Sequence, residues 1–316
     1  MMAWTTAATK SIVRFGYRRA CTPARALRLL RAPSLAEAVG DRVVLVTGAS
    51  SGIGRATARR FGLAGATVLL VARPSRALDA AAAEVAAAGG RAHVHPCDLR
   101  DPAAVDRLAA EIIDCYGGVD VLVNNAGRSI RRPVDESYDR LHDFERTMRL
   151  NYFAATQLIL GLLPSMRERR RGHIINICTL AVQTNAPMFS AYIASKAALD
   201  ALSRSLAAEV RDDGVRITTI HPPIVHTPMV APSGHYDDAP GLTADEAADM
   251  IAEAVRTKPA YVSTQLGTAM ELVGLLAPAV VQAAQSRAYR RSLETERRIR
   301  SSSGAHRPVH GLSMAA

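Results

Sequence analysis

Arg42-Val43-Val44-Leu45-Val46-Thr47-Gly48-Ala49-Ser50-Ser51-Gly52-Ile53-Gly54-Arg55 carries an unbroken aliphatic run into a glycine-rich turn, and the alanine-rich segment Ala56 to Phe61 follows it. A short continuous apolar run reads as a strand buried on both faces, and helix formers after a glycine turn read as a helix. In that geometry Gly48 permits the sharp turn. Gly52 removes a Cβ where a pyrophosphate comes close, and Gly54 lets the helix pack on the strand. Ser50, Ser51 and Ile53 share the turn, and the first helical amides face the anion. The G-x-x-x-G-x-G spacing departs from the G-x-G-x-x-G dinucleotide fingerprint, so this stretch alone also fits a turn without a ligand. Downstream residues separate the two readings.

A second apolar strand, Ala66 to Ala72, is followed by Arg73-Pro74-Ser75-Arg76 and an alanine-rich helix to about Ala88. The end of this strand is where a ribose 2′ position would sit, and a site for NAD usually offers a carboxylate there. Ala72 and Arg73 stand there instead. An arginine suits a 2′-phosphate, so NADPH is expected as the cofactor in preference to NADH; a solvated loop arginine is the plainer alternative. A third strand, Ala92 to Pro96, ends at Cys97-Asp98-Leu99, and a helix capped near Asp101 runs to Tyr116. The fourth strand, Val119 to Val123, ends in Asn124-Asn125-Ala126-Gly127 and the basic segment Arg128-Ser129-Ile130-Arg131-Arg132-Pro133. Such alternation of strand and helix demands a parallel sheet covered on both faces, with ligands at the carboxyl ends of the strands.

Asn151 is a polar residue on an otherwise apolar helix, and a catalytic water chain would supply the partners it needs. His173 to Cys178 reads as a fifth strand ending in Thr179. In Ser190-Ala191-Tyr192-Ile193-Ala194-Ser195-Lys196, Tyr192 and Lys196 are four apart and share a helix face. An ammonium there is expected to favour the phenolate and lower the tyrosine pKa. Arg216 to His221 is a sixth strand, leading to Pro222-Pro223-Ile224-Val225-His226-Thr227-Pro228-Met229. Val230 to Gly241 has the composition of a mobile substrate lid, and Thr243 to Glu246 caps a helix to about Thr257.

With 316 residues, 48% of them hydrophobic, the chain can bury one large core. The expected division is a basic extension over 1–40, a catalytic domain over 41–260, and a helical extension with a flexible tail over 261–316. The net charge of +10 comes without aromatics interleaved among the basic residues. That favours small anions or acidic lipid headgroups over nucleic acid as partners. The scattered cysteines, Cys21, Cys97, Cys115 and Cys178, suggest a reducing compartment and no metal site. Residues 1–40 hold seven basic residues and no acid before Glu37. They read as a surface helix lying on the domain or on an anionic membrane, or else as a disordered tail. No apolar run suits a signal peptide or a membrane span. A cytoplasmic protein with peripheral membrane contact through its basic termini is therefore expected.

Thr47 to Gly54, Asp98, Asn124 to Gly127, Asn151, Tyr192-x-x-x-Lys196 and Pro222 to Met229, in this order, resemble the short-chain dehydrogenase/reductase family over roughly residues 41 to 260. The resemblance implies an α/β fold, a Rossmann-type doubly wound parallel sheet forming a single domain with helical N- and C-terminal extensions. It makes Tyr192 the general acid or base, has Lys196 hold the nicotinamide ribose, and has Asn151 anchor a relay water. It also places Asp98 and Leu99 at the adenine, Asn125, Ala126 and Gly127 at the ribose, and Val225 and Thr227 at the carboxamide, and it implies a homo-oligomer. Thr179 stands where the family's serine is usual, and Pro223 where a glycine is usual.

A narrower resemblance rests on Asn124 to Arg132, Ser137-Tyr138-Asp139-Arg140-Leu141-His142-Asp143 and Ala191 to Lys196. These strings resemble the reductase domain of bacterial fatty acyl-CoA reductases and imply a long-chain acyl-CoA substrate in lipid metabolism. Arg128, Arg131 and Arg132 would then meet CoA phosphates. An NADPH-dependent reductase of ketones, aldehydes or steroid-like alcohols is the alternative, and a dinucleotide-binding sensor without turnover is a third reading.

Overall fold

The computed structural model describes residues 23–230 and 239–302. The aliphatic run forms β1 (Val43–Thr47), and the glycine turn opens α3 (Gly52–Leu63). Among the described residues, two short helices lie ahead of them, α1 (Pro23–Arg31) and α2 (Leu35–Val39). The chain then alternates as expected through β2 (Thr67–Ala72), α4 (Arg76–Ala87), β3 (Arg91–Pro96), α5 (Pro102–Tyr116) and β4 (Val121–Asn124). After α6 (Leu141–Met148), a π-turn at Arg149–Phe153 runs into α7 (Ala154–Glu168) and β5 (Gly172–Ile177). The short α8 (Ala181–Thr184), then α9 (Ser190–Glu209), β6 (Val215–Ile220), α10 (Ala244–Thr257) and β7 (Tyr261–Val262) complete the sheet. Two helices close the described chain, α11 (Gln265–Leu276) and α12 (Pro278–Ser302).

The sheet has seven strands in the order β3-β2-β1-β4-β5-β6-β7. All of its strand pairs are parallel. Chain order reverses between β1 and β4, which opens a crevice at their carboxyl ends. Alternate residues of β1 feed opposite faces, as the period of two requires. Val44 and Val46 pack with Phe61 of α3 and Ile251 of α10. Leu45 packs on the other face with Leu122, Ile112 of α5 and Leu158 and Met166 of α7. Each such burial is worth ~1.5–3 kcal/mol, so the two layers hold the strand ends rigid beneath the site.

The first described residues lie on the domain. Arg25 forks onto Glu253 of α10 through Nε at 2.9 Å and Nη2 at 2.8 Å, and Arg256 donates to the Pro33 carbonyl at 2.6 Å. The reading of residues 1–22 as a surface helix or tail lies outside the described residues, as do 231–238 of the expected lid and the tail from 303. The described chain falls into two compact units that part between Leu272 and Val273, so most of α11 belongs with the sheet. Two-residue β7 has no counterpart in the sequence reading. Among the described residues, no single helix is long and apolar enough to cross a membrane.

Candidate active site

The carboxyl ends of β1 and β4 are fastened by one side chain. The Thr47 hydroxyl donates to the Val123 carbonyl at 3.2 Å and accepts the N–H groups of Asn125 at 3.0 Å and Ala126 at 2.9 Å. Asn125 returns its amide to the Thr47 carbonyl at 3.0 Å. Against this clasp sits the glycine turn. Gly48 takes φ +66° and Gly52 φ +53°, both in the left-handed region. A Cβ on Gly54 would lie 2.7 Å from Asn125 Nδ2, and one on Gly52 would lie 3.0 Å from the Thr227 methyl. The glycine turn, the double-asparagine turn and the loop after β6 thus meet in one place. Val225 is buried beside them in a bridge to Leu242. Ser51 sits at the N-cap of α3 without a side-chain hydrogen bond to the helix, so it does not satisfy the first-turn amides.

Asn151 is fully buried in the π-turn, a local widening of the helix that recurs at functional sites. Its side chain clamps Arg128 from both directions: Oδ1 accepts the Arg128 N–H at 2.8 Å, and Nδ2 donates to the Arg128 carbonyl at 2.9 Å. Nδ2 also donates to the Ser195 hydroxyl at 2.9 Å. The sequence reading sought partners for this asparagine in a water chain; the protein itself supplies them. A second buried chain runs from Asn124 to Asn176 at 2.8 Å and from Asn176 to Ser203 of α9 at 2.7 Å, which ties that helix to the strand ends.

On α9, Tyr192 is half-buried, and the Thr179 hydroxyl hydrogen-bonds its phenol. The threonine side chain therefore delivers its hydroxyl to the tyrosine despite the extra methyl. Thr179 also accepts the Ala181 N–H at 3.2 Å, and the Pro222 carbonyl accepts the Leu180 N–H at 2.8 Å, which fixes this short segment. Burial pushes the Tyr192 phenol up to about 12, against the smaller lowering effect of Thr179. The expected lowering by Lys196 is absent. That ammonium donates to the Ile177 carbonyl at 2.7 Å, and burial pulls its own pKa down. Tyr192 is consequently a protonated donor at neutral pH. Cys178 turns its thiol to the Lys196 carbonyl at 3.5 Å, where burial pushes it up to about 12 and leaves it unreactive.

At the far end of the crevice, Ala72 is buried and Arg73 exposed, with Leu99 buried nearby on the β3 side. Asp98 is gripped by Arg100 through Nε at 2.9 Å and Nη2 at 2.6 Å, which lowers its carboxyl to about 2. The basic segment after Gly127 divides. Arg132 donates to Asp143 at 3.1 Å and Arg131 to the Met188 sulfur at 3.0 Å, while the buried Nε of Arg128 has no hydrogen-bond partner among the described residues.

These residues fit a nicotinamide dinucleotide. A Cβ on Gly127 would fill a cradle 3.5 Å from Lys196 Nζ and 3.2 Å from Asn151 Oδ1. Lys196 has three N–H donors and one protein acceptor, so two remain for a ribose. Thr47, Asn176, Ser195 and Ser203 had no assigned role in the sequence reading. Each is a single polar residue at the end of a strand or on a helix face, and only its buried position reveals its partners.

Fold and site together place the chain in the short-chain dehydrogenase/reductase family, whose model for short chain dehydrogenases matches residues 42–237. Members are NAD(P)-dependent oxidoreductases and are commonly oligomeric. The chain is 51% identical over 242 residues to a fatty acyl-CoA reductase of Acinetobacter baylyi, covering 77% of this chain and 82% of that one. It is 49% identical over 245 residues to a fatty acyl-CoA reductase of Mycobacterium tuberculosis, covering 77% and 83%. A crystal structure of a metagenomic short-chain oxidoreductase in complex with NADP aligns with a TM-score of 0.62 at 34% identity, over 72% of this chain and 96% of that one.

Proposed function

We propose that the protein reduces a long-chain fatty acyl-CoA to the aldehyde with NADPH. The observation that carries the reductive chemistry is the Tyr192 phenol, which the Thr179 hydroxyl meets from the end of β5 and which shares α9 with Lys196 one turn on. The substrate class draws on the likeness to acyl-CoA reductases at about half identity. NADPH draws on Arg73, which follows β2 where a carboxylate would serve NADH, and on the NADP complex of a related enzyme.

When bound, the reduced nicotinamide supplies a hydride to the thioester carbonyl carbon. Tyr192 gives its proton to the carbonyl oxygen as negative charge develops there, and Thr179 steadies that oxygen and the phenol. Lys196 and Gly127 hold the ribose, and Asn151 keeps the Asn125 to Arg128 turn in place. The resulting hemithioacetal returns its proton to the Tyr192 phenolate as the carbon–sulfur bond breaks, and CoA leaves as the thiolate.

Incubation with NADPH and palmitoyl-CoA tests this reading: free thiol should appear in step with NADPH loss. Consumption of NADPH with ketones or aldehydes and none with acyl-CoA would instead make the protein a carbonyl reductase. The proposal also places the basic, apolar C-terminal extension on an anionic membrane, where long acyl chains partition.

A further inference from the structure

Two buried polar side chains beside α9 take no part in the proposed chemistry. His221, the residue before Pro222, is fully buried, and so is nearly all of Asp200, which stands one turn past Lys196 on α9. Both ring nitrogens of His221 and the Asp200 Oδ1 lack a hydrogen-bond partner among the described residues, and His221 Nε2 stops 3.7 Å from that oxygen. The charges around the ring are otherwise answered. Arg204 donates to Asp200 Oδ2 at 2.6 Å, and Glu271 of α11 accepts from Gln183 of α8 at 2.8 Å and from the Tyr261 phenol at 3.3 Å. Tyr261 of β7 packs its ring on the imidazole, with centroids 4.6 Å apart. Burial pulls His221 down to about 4, so the ring is neutral at neutral pH and holds one N–H. Leaving that donor and a carboxylate oxygen unpaired in the interior costs more than an apolar ring of the same shape would. A shift of about 1 Å brings the two within hydrogen-bond reach.

What moves with His221 is set by the residues after it. Pro222 and Pro223 have fixed φ and no N–H, so a shift at His221 passes on to Ile224–Thr227 instead of being absorbed. The Pro222 carbonyl also holds the Leu180 N–H beside Thr179. We infer that His221 and Asp200 are positioning residues for hydride transfer: in the closed arrangement of the loop the imidazole N–H donates to Asp200 Oδ1 and fastens the loop root to the helix that carries Tyr192. Hydride donor and proton donor are thereby held in one register. The inference rests on the reading that Val225 and Thr227 meet the nicotinamide end of the cofactor, and it holds for a thioester or a ketone substrate alike.

Single-turnover oxidation of bound NADPH by the full chain tests it, with palmitoyl-CoA as acceptor, or a ketone if the thioester does not react, alongside calorimetric titration with NADP⁺. Phenylalanine keeps a ring to pack on Tyr261 but has no donor, whereas glutamine keeps a donor and loses the ring. His221→Phe should slow hydride transfer by about tenfold or more, the scale of one hydrogen bond to a charged group, and His221→Gln should recover part of the loss. Asp200→Ala should be as slow as His221→Phe, Asp200→Asn should recover part because it keeps an acceptor, and the His221→Phe, Asp200→Ala double variant should be no slower than either single one. A ring that only fills space would give the reverse order at position 221, so a phenylalanine variant as fast as the parent, or faster than the glutamine one, overturns the inference. Additive losses in the double variant do the same. Should the variants at 221 not fold, the Asp200 pair decides: an asparagine variant as slow as the alanine one overturns it. Thr227→Ala checks the underlying reading. Unchanged transfer and affinity in that variant would take the loop away from the nicotinamide and the inference with it, while an impaired Thr227→Ala beside an unimpaired His221→Phe overturns the pair alone.

Discussion

At Tyr192 two electrostatic effects compete, and burial wins. Desolvation pushes the phenol pKa to about 12 against the smaller lowering by the Thr179 hydroxyl, and the ammonium four residues on gives one of its hydrogen bonds to the Ile177 carbonyl. The result is a phenol that stays protonated at neutral pH, the form from which a reductase's proton donor starts. Tyr192→Phe should lower turnover ~10²–10⁴-fold, the scale of general acid catalysis, while nucleotide binding by titration stays within about twofold. A phenylalanine variant as active as the parent would remove Tyr192 from the mechanism. Helical spacing placed Tyr192 and Lys196 on one face, and that was legible in the sequence. Where the ammonium sends its hydrogen bonds was not, because a neighbouring strand's carbonyl leaves no mark on local pattern.

Among the elements, the glycine turn and the asparagine turn act as one clasp. Continuous apolar runs and turn glycines made β1, β2 and β4 readable, since a strand buried on both faces needs such runs. Thr47 and Asn176 were opaque for the same reason: a lone polar residue in an apolar strand looks alike whatever it bonds. Two-residue β7 has too few positions for any period to show. Gly54→Ala puts the clasp to the test, because the new methyl would press on Asn125 Nδ2 from 2.7 Å. Nucleotide affinity should fall tenfold or more, and overpacking should cost ~1–3 kcal/mol of stability, read as a lower melting midpoint. An alanine variant with unchanged affinity would show that the clasp does not shape the nucleotide site.

The whole molecule pairs a buried α/β core with an apolar, basic end. In the C-terminal unit Leu275 is 78% exposed, Leu276 74% and Val280 67%, and the exposed Arg287 and Arg290 follow them. Exposed leucines and arginines in one C-terminal segment suit the boundary between headgroups and acyl chains of an anionic bilayer. The full chain should co-sediment with phosphatidylglycerol-containing vesicles and much less with neutral ones. Leu275→Glu with Leu276→Glu should release it without loss of nucleotide binding. Failure to sediment with either vesicle, or an undiminished double variant, would count against membrane attachment.

The sheet order also dictates a schedule for biosynthesis. Central β1 lies between β2 and β4, and its registered partners on β4 begin at Val121, 77 residues after Val44. A nascent chain emerging amino end first has one neighbour for β1 until the asparagine turn has left the ribosome. Closing that long loop carries an entropic cost that local contacts do not share, so the pairing of β1 with β4 sets when the clasp between Thr47 and Asn125 first exists.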